Sequence, residues 1–230
     1  DPPNACADGV EADRVPTPPT AEGGALRSQD LRTRGDPLGL AGTIIRIDRA
    51  TGAGAADNPL ASDREPDAQR VIAFGLRNPF RFTFRPGTTE LWIADVGSVN
   101  WEEVNLIEDP TSGAVPNFGW PCFEGAYRQP TYAATGFDIC SGLYADRHDL
   151  RFPWLSLSRA ERGESDCDAA GSALSGIAFY DGRTFPAEYS GALFLGDSSR
   201  ACVWVIRAGA DGRPDVATIR QFMTGPRPAE

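Results

Sequence analysis

The sequence predicts an all-β protein, and three observations support that class. Short runs rich in β-branched and aromatic residues recur along the 230 residues, separated by turns that contain Gly, Pro and Asp. No stretch of ten residues shows a clear 3.6-residue period between capping residues. Two segments, Phe82 to Asp95 and Ala178 to Asp197, resemble each other weakly. This repetition suits the four-stranded blades of a β-propeller, although a β-sandwich would also accommodate the strands.

The strands are predicted to follow an irregular start. Residues 1–40 carry turn and helix-breaking residues throughout and are predicted to be a loop or insertion, whereas residues 41–230 form a partial propeller. The predicted strands are 42–48, 70–75, 81–85, 90–95, 102–107, 175–180, 191–197, 202–207 and 218–222. They amount to about three blades, and a propeller closes with about four to eight. The chain is therefore expected to be a fragment of a larger ring.

Charge and hydropathy argue against two kinds of partner. The formal net charge of -10 would repel a phosphate backbone, so no nucleic-acid partner is expected. No run of about 18 apolar residues occurs, so no membrane span is expected.

The five cysteines are widely spaced, which favours disulfides and hence a secreted or extracytoplasmic protein. No close Cys-x-x-Cys pair points to a metal site. Local spacing favours the pairs Cys122–Cys140 and Cys167–Cys202. Cys6 is left over, as if its partner lay outside this chain.

Four motifs in a fixed order carry a family resemblance. They are Gly75-Leu-Arg-Asn-Pro-Phe-Arg-Phe-Thr-Phe, Leu91-Trp-Ile-Ala-Asp-Val-Gly, Trp101-Glu-Glu-Val-Asn-Leu-Ile and Asn117-Phe-Gly-Trp-Pro. Together they resemble the glucose/sorbosone dehydrogenase family of six-bladed propellers, several of which use pyrroloquinoline quinone (PQQ). The resemblance covers most of residues 40–225. It favours a β-propeller of the quinoprotein sugar dehydrogenase type, with about three blades in this chain.

The resemblance implies a cofactor site in the first two motifs. It places Arg77 and Asn78 on the quinone, where the arginine fork would match a carboxylate and the amide would add a donor and an acceptor. It also places a calcium ion against the quinone, held by the backbone carbonyls of Gly97 and Ser98.

Three positions depart from the family pattern. Phe80 and Val96 stand where family members carry glutamine, which removes polar contacts from the cofactor site. A family lysine that meets the cofactor aligns near Ser199, with Arg200 beside it.

The Trp101-Glu-Glu motif implies two further roles. Glu103 and the backbone carbonyl of Phe118 match a second calcium position of some bacterial relatives. Glu102 occupies the place of an acidic residue near the active site and is a possible substrate-side acid. Neighbouring residues on a strand face opposite ways, so one glutamate is expected to point inward and the other outward.

No catalytic residue is assigned. The family's histidine base precedes the Arg-Asn motif, and no histidine precedes Arg77 here. The single histidine, His148, lies in a polar loop and is interpreted as a loop residue. This chain is therefore expected to lack the catalytic histidine and the closing blades, and to be inactive alone.

The predicted function is part of a PQQ-dependent sugar dehydrogenase-like oxidoreductase that oxidises an aldose or related hydroxyl compound. Its partners would be a sugar or polyol substrate and the remaining propeller blades. The alternative is a non-catalytic, calcium-stabilised propeller module that binds carbohydrate or a protein partner, similar to hedgehog-interacting-protein-like relatives.

Overall fold

The computed structural model describes residues 19–33, 38–160, 167 and 171–225. The chain divides into two compact units. The first unit comprises Asp1–Asn78 and Pro110–Phe152, and the second comprises Pro79–Asp109 and Pro153–Glu230. Cys6 lies outside the described residues, so its pairing stays a prediction.

Most of the regular structure consists of short strands. In chain order the strands and α-helices are β1 (Ile44–Ile45), α1 (Pro66–Arg70), β2 (Val71–Ala73), β3 (Pro79–Phe84), β4 (Leu91–Asp95), β5 (Trp101–Ile107), β6 (Phe123–Glu124), β7 (Tyr127–Arg128), α2 (Pro130–Thr135), α3 (Asp138–Ala145), β8 (Leu155–Ser158), β9 (Leu174–Phe179), β10 (Leu193–Asp197), β11 (Cys202–Ile206) and β12 (Arg220–Thr224). The described residues also form 3₁₀ helices at Gly24–Arg32, Ala187–Tyr189 and Val216–Thr218. The all-β class is confirmed, because the α-helices are short and the strands dominate.

The second unit contains two four-stranded antiparallel sheets with the orders β3-β4-β5-β8 and β12-β11-β10-β9. Each sheet follows the up-and-down order of a propeller blade. In the described part of the first unit the strands form two two-stranded sheets, β1–β2 and β6–β7. Strand β8 was not predicted from the sequence; it joins β5 across the long segment 108–154.

An apolar core lies between the two blades of the second unit. Trp92 is at its centre, with ring centroids 4.7 Å from Trp154 and 5.5 Å from Phe179, both in edge-to-face contact. The remaining buried residues of this core are Ala94, Val104, Leu174, Ile177, Leu193, Leu195 and Ile206. One face of each blade therefore packs against the other blade.

The first unit combines β1–β2 with a helical segment that the sequence did not predict. Helix α2 begins with Pro130, and the Gln129 side chain accepts a hydrogen bond from the Tyr132 backbone N–H at 2.9 Å. Helix α3 follows after Gly136, whose positive φ of 77° ends α2. Both helices are too short to show a clear helical period in the sequence.

Both expected disulfides are present in the structure. Cys122–Cys140 lies in the first unit with a Cα–Cα distance of 5.2 Å, and Cys167–Cys202 lies in the second unit with a distance of 5.7 Å. Among the residues that the structure describes, no helix is both long and apolar enough to cross a bilayer.

Candidate functional site

Arg77 and Asn78 are exposed at the end of a tightly built turn in the first unit. The turn begins at Gly75, whose φ is +73°. The Gly75 N–H donates to the Ser28 carbonyl at 3.0 Å, and its own carbonyl accepts from the Trp120 N–H at 2.8 Å. These backbone hydrogen bonds fix the point from which the Arg77 and Asn78 side chains project.

A buried pair of amide side chains supports this turn. Gln29 Nε2 donates to Asn117 Oδ1 at 2.9 Å, and Asn117 Nδ2 donates to Gln29 Oε1 at 2.8 Å. Gln29 Nε2 also donates to the Trp120 carbonyl at 2.7 Å, and the Gly119 N–H donates to Asn117 Oδ1 at 2.8 Å. Because every bond is buried, the network should hold residues 117–120 rigidly.

Trp120 connects this network to the arginine. The Arg77 guanidinium lies over the Trp120 ring, 5.5 Å from its centroid. Stacking on an aromatic face orients the planar guanidinium, whose edge carries the N–H donors that match a carboxylate. Sequence reasoning missed Gln29 and assigned no role to Asn117 or Trp120, although both lie in the quoted Asn117-Phe-Gly-Trp-Pro motif.

Glu102 lies in the second unit and is 1% exposed. Its Oε2 accepts hydrogen bonds from the Gly97 N–H at 3.3 Å and the Leu174 N–H at 2.9 Å. Its Oε1 forms an ion pair with the Arg159 guanidinium. Both carboxylate oxygens are thus engaged by the protein, and the Glu102 side chain links β5 to the beginning of β9.

The same arginine contacts a carbonyl that was predicted to bind calcium. Arg159 Nη1 lies 3.3 Å from the Gly97 carbonyl oxygen and donates a hydrogen bond to it. A cationic group at this carbonyl opposes the approach of a divalent cation. The residues around Gly97 therefore do not fit a calcium ion. No motif or local pattern pointed to Arg159, which lies 57 residues from Glu102.

Glu103 faces the other side of β5 and is also buried, at 7% exposure. The expectation that one of the two glutamates points outward is therefore wrong, because both faces of β5 are covered. Glu103 pairs in register with Asp95, which is buried too. Asn105 Nδ2 donates to Glu103 Oε2 at 3.2 Å. The Asn105 Oδ1 atom is buried and has no hydrogen-bond partner among the described residues.

These three residues, Asp95, Glu103 and Asn105, are here called the acid–amide cluster. Two carboxylates and a buried amide oxygen without a partner are hard oxygen donors of the type that calcium prefers. Within the described residues no group of three or more His, Cys, Asp or Glu side chains is arranged to hold a metal ion. A cation here would therefore need the amide oxygen and backbone carbonyls as well as the carboxylates.

The remaining predicted residues fall in both units. Phe118 lies in the first unit with Arg77 and Asn78, whereas Gly97, Ser98, Glu102 and Glu103 lie in the second. The Phe118 backbone N–H donates to the Phe74 carbonyl at 2.9 Å. Within the units, the structure brings Arg77 to Trp120 and Gly97 to Glu102.

The two other basic residues of the sequence argument have local partners. His148 is exposed, and its Nδ1 lies 2.9 Å from Asp149 Oδ1. Arg200 is buried and donates to the backbone carbonyls of Gly171, Ser158 and Arg159 at 3.2, 2.9 and 3.0 Å. The observed contacts thus place His148 in a surface turn and Arg200 in a network of backbone carbonyls.

Four-stranded antiparallel blades, in a chain that carries these ordered motifs, define a protein of the sugar dehydrogenase propeller class. The family model described as Glucose / Sorbosone dehydrogenase matches residues 27–224. The chain belongs to the glucose/sorbosone dehydrogenase family.

Two curated relatives are similar to the chain over part of their length. The uncharacterized protein slr1608 of Synechocystis sp. is 30% identical over 183 residues, which cover 78% of this chain and 37% of the relative. The aldose sugar dehydrogenase YliI of Escherichia coli is 25% identical over 175 residues, which cover 75% of this chain and 40% of the relative. The chain thus spans about two fifths of the curated relatives that it matches.

Solved structures show the same fold at low sequence identity. The PQQ-bound form of an aldose sugar dehydrogenase from Streptomyces coelicolor matches with a TM-score of 0.52 and 22% identity, covering 83% of this chain and 41% of that one. The apo form of the soluble aldose sugar dehydrogenase from Escherichia coli matches with a TM-score of 0.54 and 21% identity, covering 84% and 47%. These likenesses confirm the propeller fold over part of its length.

Proposed function

We propose that the chain is part of a PQQ-dependent sugar dehydrogenase-like oxidoreductase that oxidises an aldose or a related hydroxyl compound. The observation that carries this proposal is the exposed Arg77 guanidinium, stacked on Trp120 and adjacent to Asn78. The PQQ-bound relative from Streptomyces coelicolor, whose fold this chain shares in part, adds support for the cofactor class.

The residues of the turn fit a planar, carboxylate-bearing quinone. The Arg77 fork would donate to a carboxylate, and Asn78 would offer both a donor and an acceptor to a neighbouring oxygen. The rigid turn reduces the entropy lost when these side chains bind. When bound, PQQ supplies an acceptor for the two electrons removed from the hydroxyl-bearing carbon of the sugar.

The proton acceptor is proposed to come from residues outside this chain. The single histidine, His148, is exposed and lies against Asp149 in a surface turn, which offers no enclosed site for a sugar hydroxyl. The chain by itself is therefore proposed to bind the quinone without catalysing turnover.

The remaining blades of the propeller are the proposed partners of this chain. The side chains of Phe80, Phe82 and Phe84 alternate along β3 and are 54%, 55% and 51% exposed. An apolar stripe of this kind is typical of an interaction surface. The matched relatives are more than twice as long as the aligned segment, which is consistent with an adjoining blade over this stripe. The two disulfides support a secreted or extracytoplasmic location.

Replacing Arg77 with alanine is expected to weaken PQQ binding by about 10- to 100-fold, because one charge-assisted contact to a carboxylate is lost. Isothermal titration of the purified protein with PQQ measures the change. Arg49→Ala is the matched control, since Arg49 is an exposed arginine of the same unit in a separate turn. Equal affinities for the two variants would remove Arg77 from the site.

The oxidoreductase activity itself is tested on the complete polypeptide that contains this chain. Dye reduction is followed across a panel of aldoses and polyols in the presence of PQQ and calcium. We expect reduction with at least one sugar. Failure of the complete polypeptide to bind PQQ would refute the proposed function.

The acid–amide cluster favours a second candidate function, a non-catalytic, calcium-stabilised propeller module that binds carbohydrate or a protein partner. Calcium would be held by Asp95 and Glu103 together with the unpaired Asn105 oxygen. The apolar Phe80 and Val96, at positions where family members carry glutamine, also suit a protein that no longer binds quinone. Calcium binding without PQQ binding would identify this module.

Calcium at about one hundred times its Kd is expected to raise the Tm of the protein by about 5 to 10 °C, because it binds only the folded acid–amide cluster. Glu103→Gln should abolish this shift, since it removes one ligand charge. Glu108→Gln, on an exposed glutamate of the same unit, is the control and should keep the shift. Differential scanning calorimetry with calcium or EDTA distinguishes the outcomes, and an unchanged shift in Glu103→Gln would contradict the assignment.

A further inference from the structure

Arg159 occupies the position where a cation is expected in the second unit. Its guanidinium donates to the Gly97 carbonyl at 3.3 Å and forms an ion pair with Glu102, which is 1% exposed. A backbone carbonyl and a buried carboxylate are the donors that a calcium ion would otherwise use. The Arg159 guanidinium contacts both the Gly97 carbonyl oxygen and the Glu102 carboxylate.

The arginine is held in this position by its own backbone. Residue 159 directly follows β8, whose Ser158 pairs with Trp101 at the start of β5. The Arg159 N–H donates to the Asn100 carbonyl at 2.8 Å, and Arg200 Nη2 donates to the Arg159 carbonyl at 3.0 Å. The side chain therefore leaves a fixed point beside the loop that carries Gly97.

We propose that Arg159 is an internal cation that takes the place of calcium at the Gly97 carbonyl. A guanidinium and a divalent ion cannot both approach this carbonyl, because like charges repel each other at this short range and the site is only partly open to solvent. The Arg159–Glu102 pair fixes the Gly97 loop and the beginning of β9 without metal, since Glu102 Oε2 also accepts from both backbone N–H groups.

One consequence concerns the ligand that this loop can contact. A cofactor oxygen near Gly97 would meet arginine N–H donors, which suit a carboxylate, instead of a metal ion. The proposal does not depend on quinone binding, because it concerns the charge that holds the loop. A failed PQQ titration would leave it unaffected.

The test removes the arginine in a Glu103→Gln background, so that the acid–amide cluster contributes no calcium response. The Glu103→Gln parent should show no change in Tm between calcium and EDTA. Adding Arg159→Met should lower the Tm in EDTA, because Glu102 is left as a buried unpaired charge. Calcium should then raise the Tm of this variant by about 5 to 10 °C at about one hundred times the Kd.

Two further variants test whether calcium binding depends on the negative charge of Glu102 and on the loss of the positive charge at position 159. Adding Glu102→Gln to Arg159→Met removes the charge that would attract the ion, so the calcium shift should disappear. Arg159→Lys retains a cation and should show no calcium shift. Terbium luminescence provides an independent readout of metal binding in each variant.

Two results would overturn the proposal. The first is a calcium shift in the Glu103→Gln parent that is lost on adding Glu102→Gln, since the metal would then bind beside Arg159. The second is the absence of any calcium response after Arg159→Met, whether the variant is folded or unfolded in EDTA. In that case the carbonyl and carboxylate would not form a cation site.

Discussion

The Gly75→Ala variant is expected to lose at least about 3 kcal/mol of unfolding free energy, because the new methyl group has no space and the backbone is strained. An alanine Cβ at this position would lie 2.2 Å from Asn117 Oδ1, 2.7 Å from the Gly119 nitrogen and 2.8 Å from Gln29 Nε2. The amide network would have to open to admit it. Urea denaturation of the purified variant measures the loss, and PQQ titration is expected to show weakened binding through a displaced Arg77.

Gly52→Ala is the matched control for this variant. Gly52, in the first unit, has a φ of +72°, nearly the same as that of Gly75, but nothing lies within 4 Å of the position that an alanine methyl group would take there. This control should lose only about 1 kcal/mol, the cost of placing a side chain on left-handed backbone. Equal losses of unfolding free energy in the two variants would show that the amide network rearranges around the new methyl group without destabilising the protein.

The Glu90→Gln variant is expected to lose about 2 kcal/mol at neutral pH, because the carboxylate that accepts charge-assisted hydrogen bonds from two arginines becomes neutral. Glu90 Oε2 accepts from Arg85 Nε at 2.6 Å, and Oε1 accepts from Arg213 Nε at 2.8 Å. The Trp92 indole N–H also donates to Oε2 at 3.2 Å. Urea denaturation at pH 7 gives the difference from the wild type.

Glu108→Gln provides the control, since Glu108 contacts Arg213 at 3.0 Å but is 70% exposed. An exposed ion pair contributes at most about 1 kcal/mol. If Glu108→Gln were as harmful as Glu90→Gln, burial would not explain the effect.

The Glu90 network also predicts a pH dependence. Burial by itself would raise the Glu90 pKa, but hydrogen bonds from Arg85, Arg213 and Trp92 outweigh it, so the pKa is lowered. Because the folded-state pKa is lower than the unfolded one, the stabilisation is complete above the ordinary value of 4.5 and is lost as the pH falls through the folded value. The stability gap between wild type and Glu90→Gln should therefore be constant near neutrality and shrink below about pH 4.5. A gap that persists at low pH would contradict this origin.

Local sequence patterns were sufficient for most of the strands. The alternation of Phe82 and Phe84 and the apolar run Leu91–Asp95 predicted β3 and β4, which pair in register through the turn between them. Strand β8 and the two-stranded β6–β7 sheet were missed. Each has four residues or fewer, so a period of two cannot be distinguished from chance.

The candidate site was predicted only as far as its motif residues. Arg77 and Asn78 were named because the motif identified them, and the structure shows them exposed at a rigid turn. Their supports were not predicted, because Gln29 lies 88 residues from Asn117 along the chain. The strand alternation placed Glu102 and Glu103 on opposite faces of β5, but the expectation that one of them points outward was wrong, because both faces are covered in the structure.

The sequence by itself determined the all-β class, the family and the cysteine pairs, because these depend on local periodicity, ordered motifs and spacing. Only the tertiary structure decided which charge stands at the Gly97 carbonyl, since the pairing of β8 with β5 places Arg159 beside it. The tertiary structure was also needed to reveal the buried Asn105 oxygen and the hydrogen-bonded pair of Gln29 and Asn117 beneath Gly75. Contacts of this kind arise from folding over long sequence separations, where no local pattern records the partner.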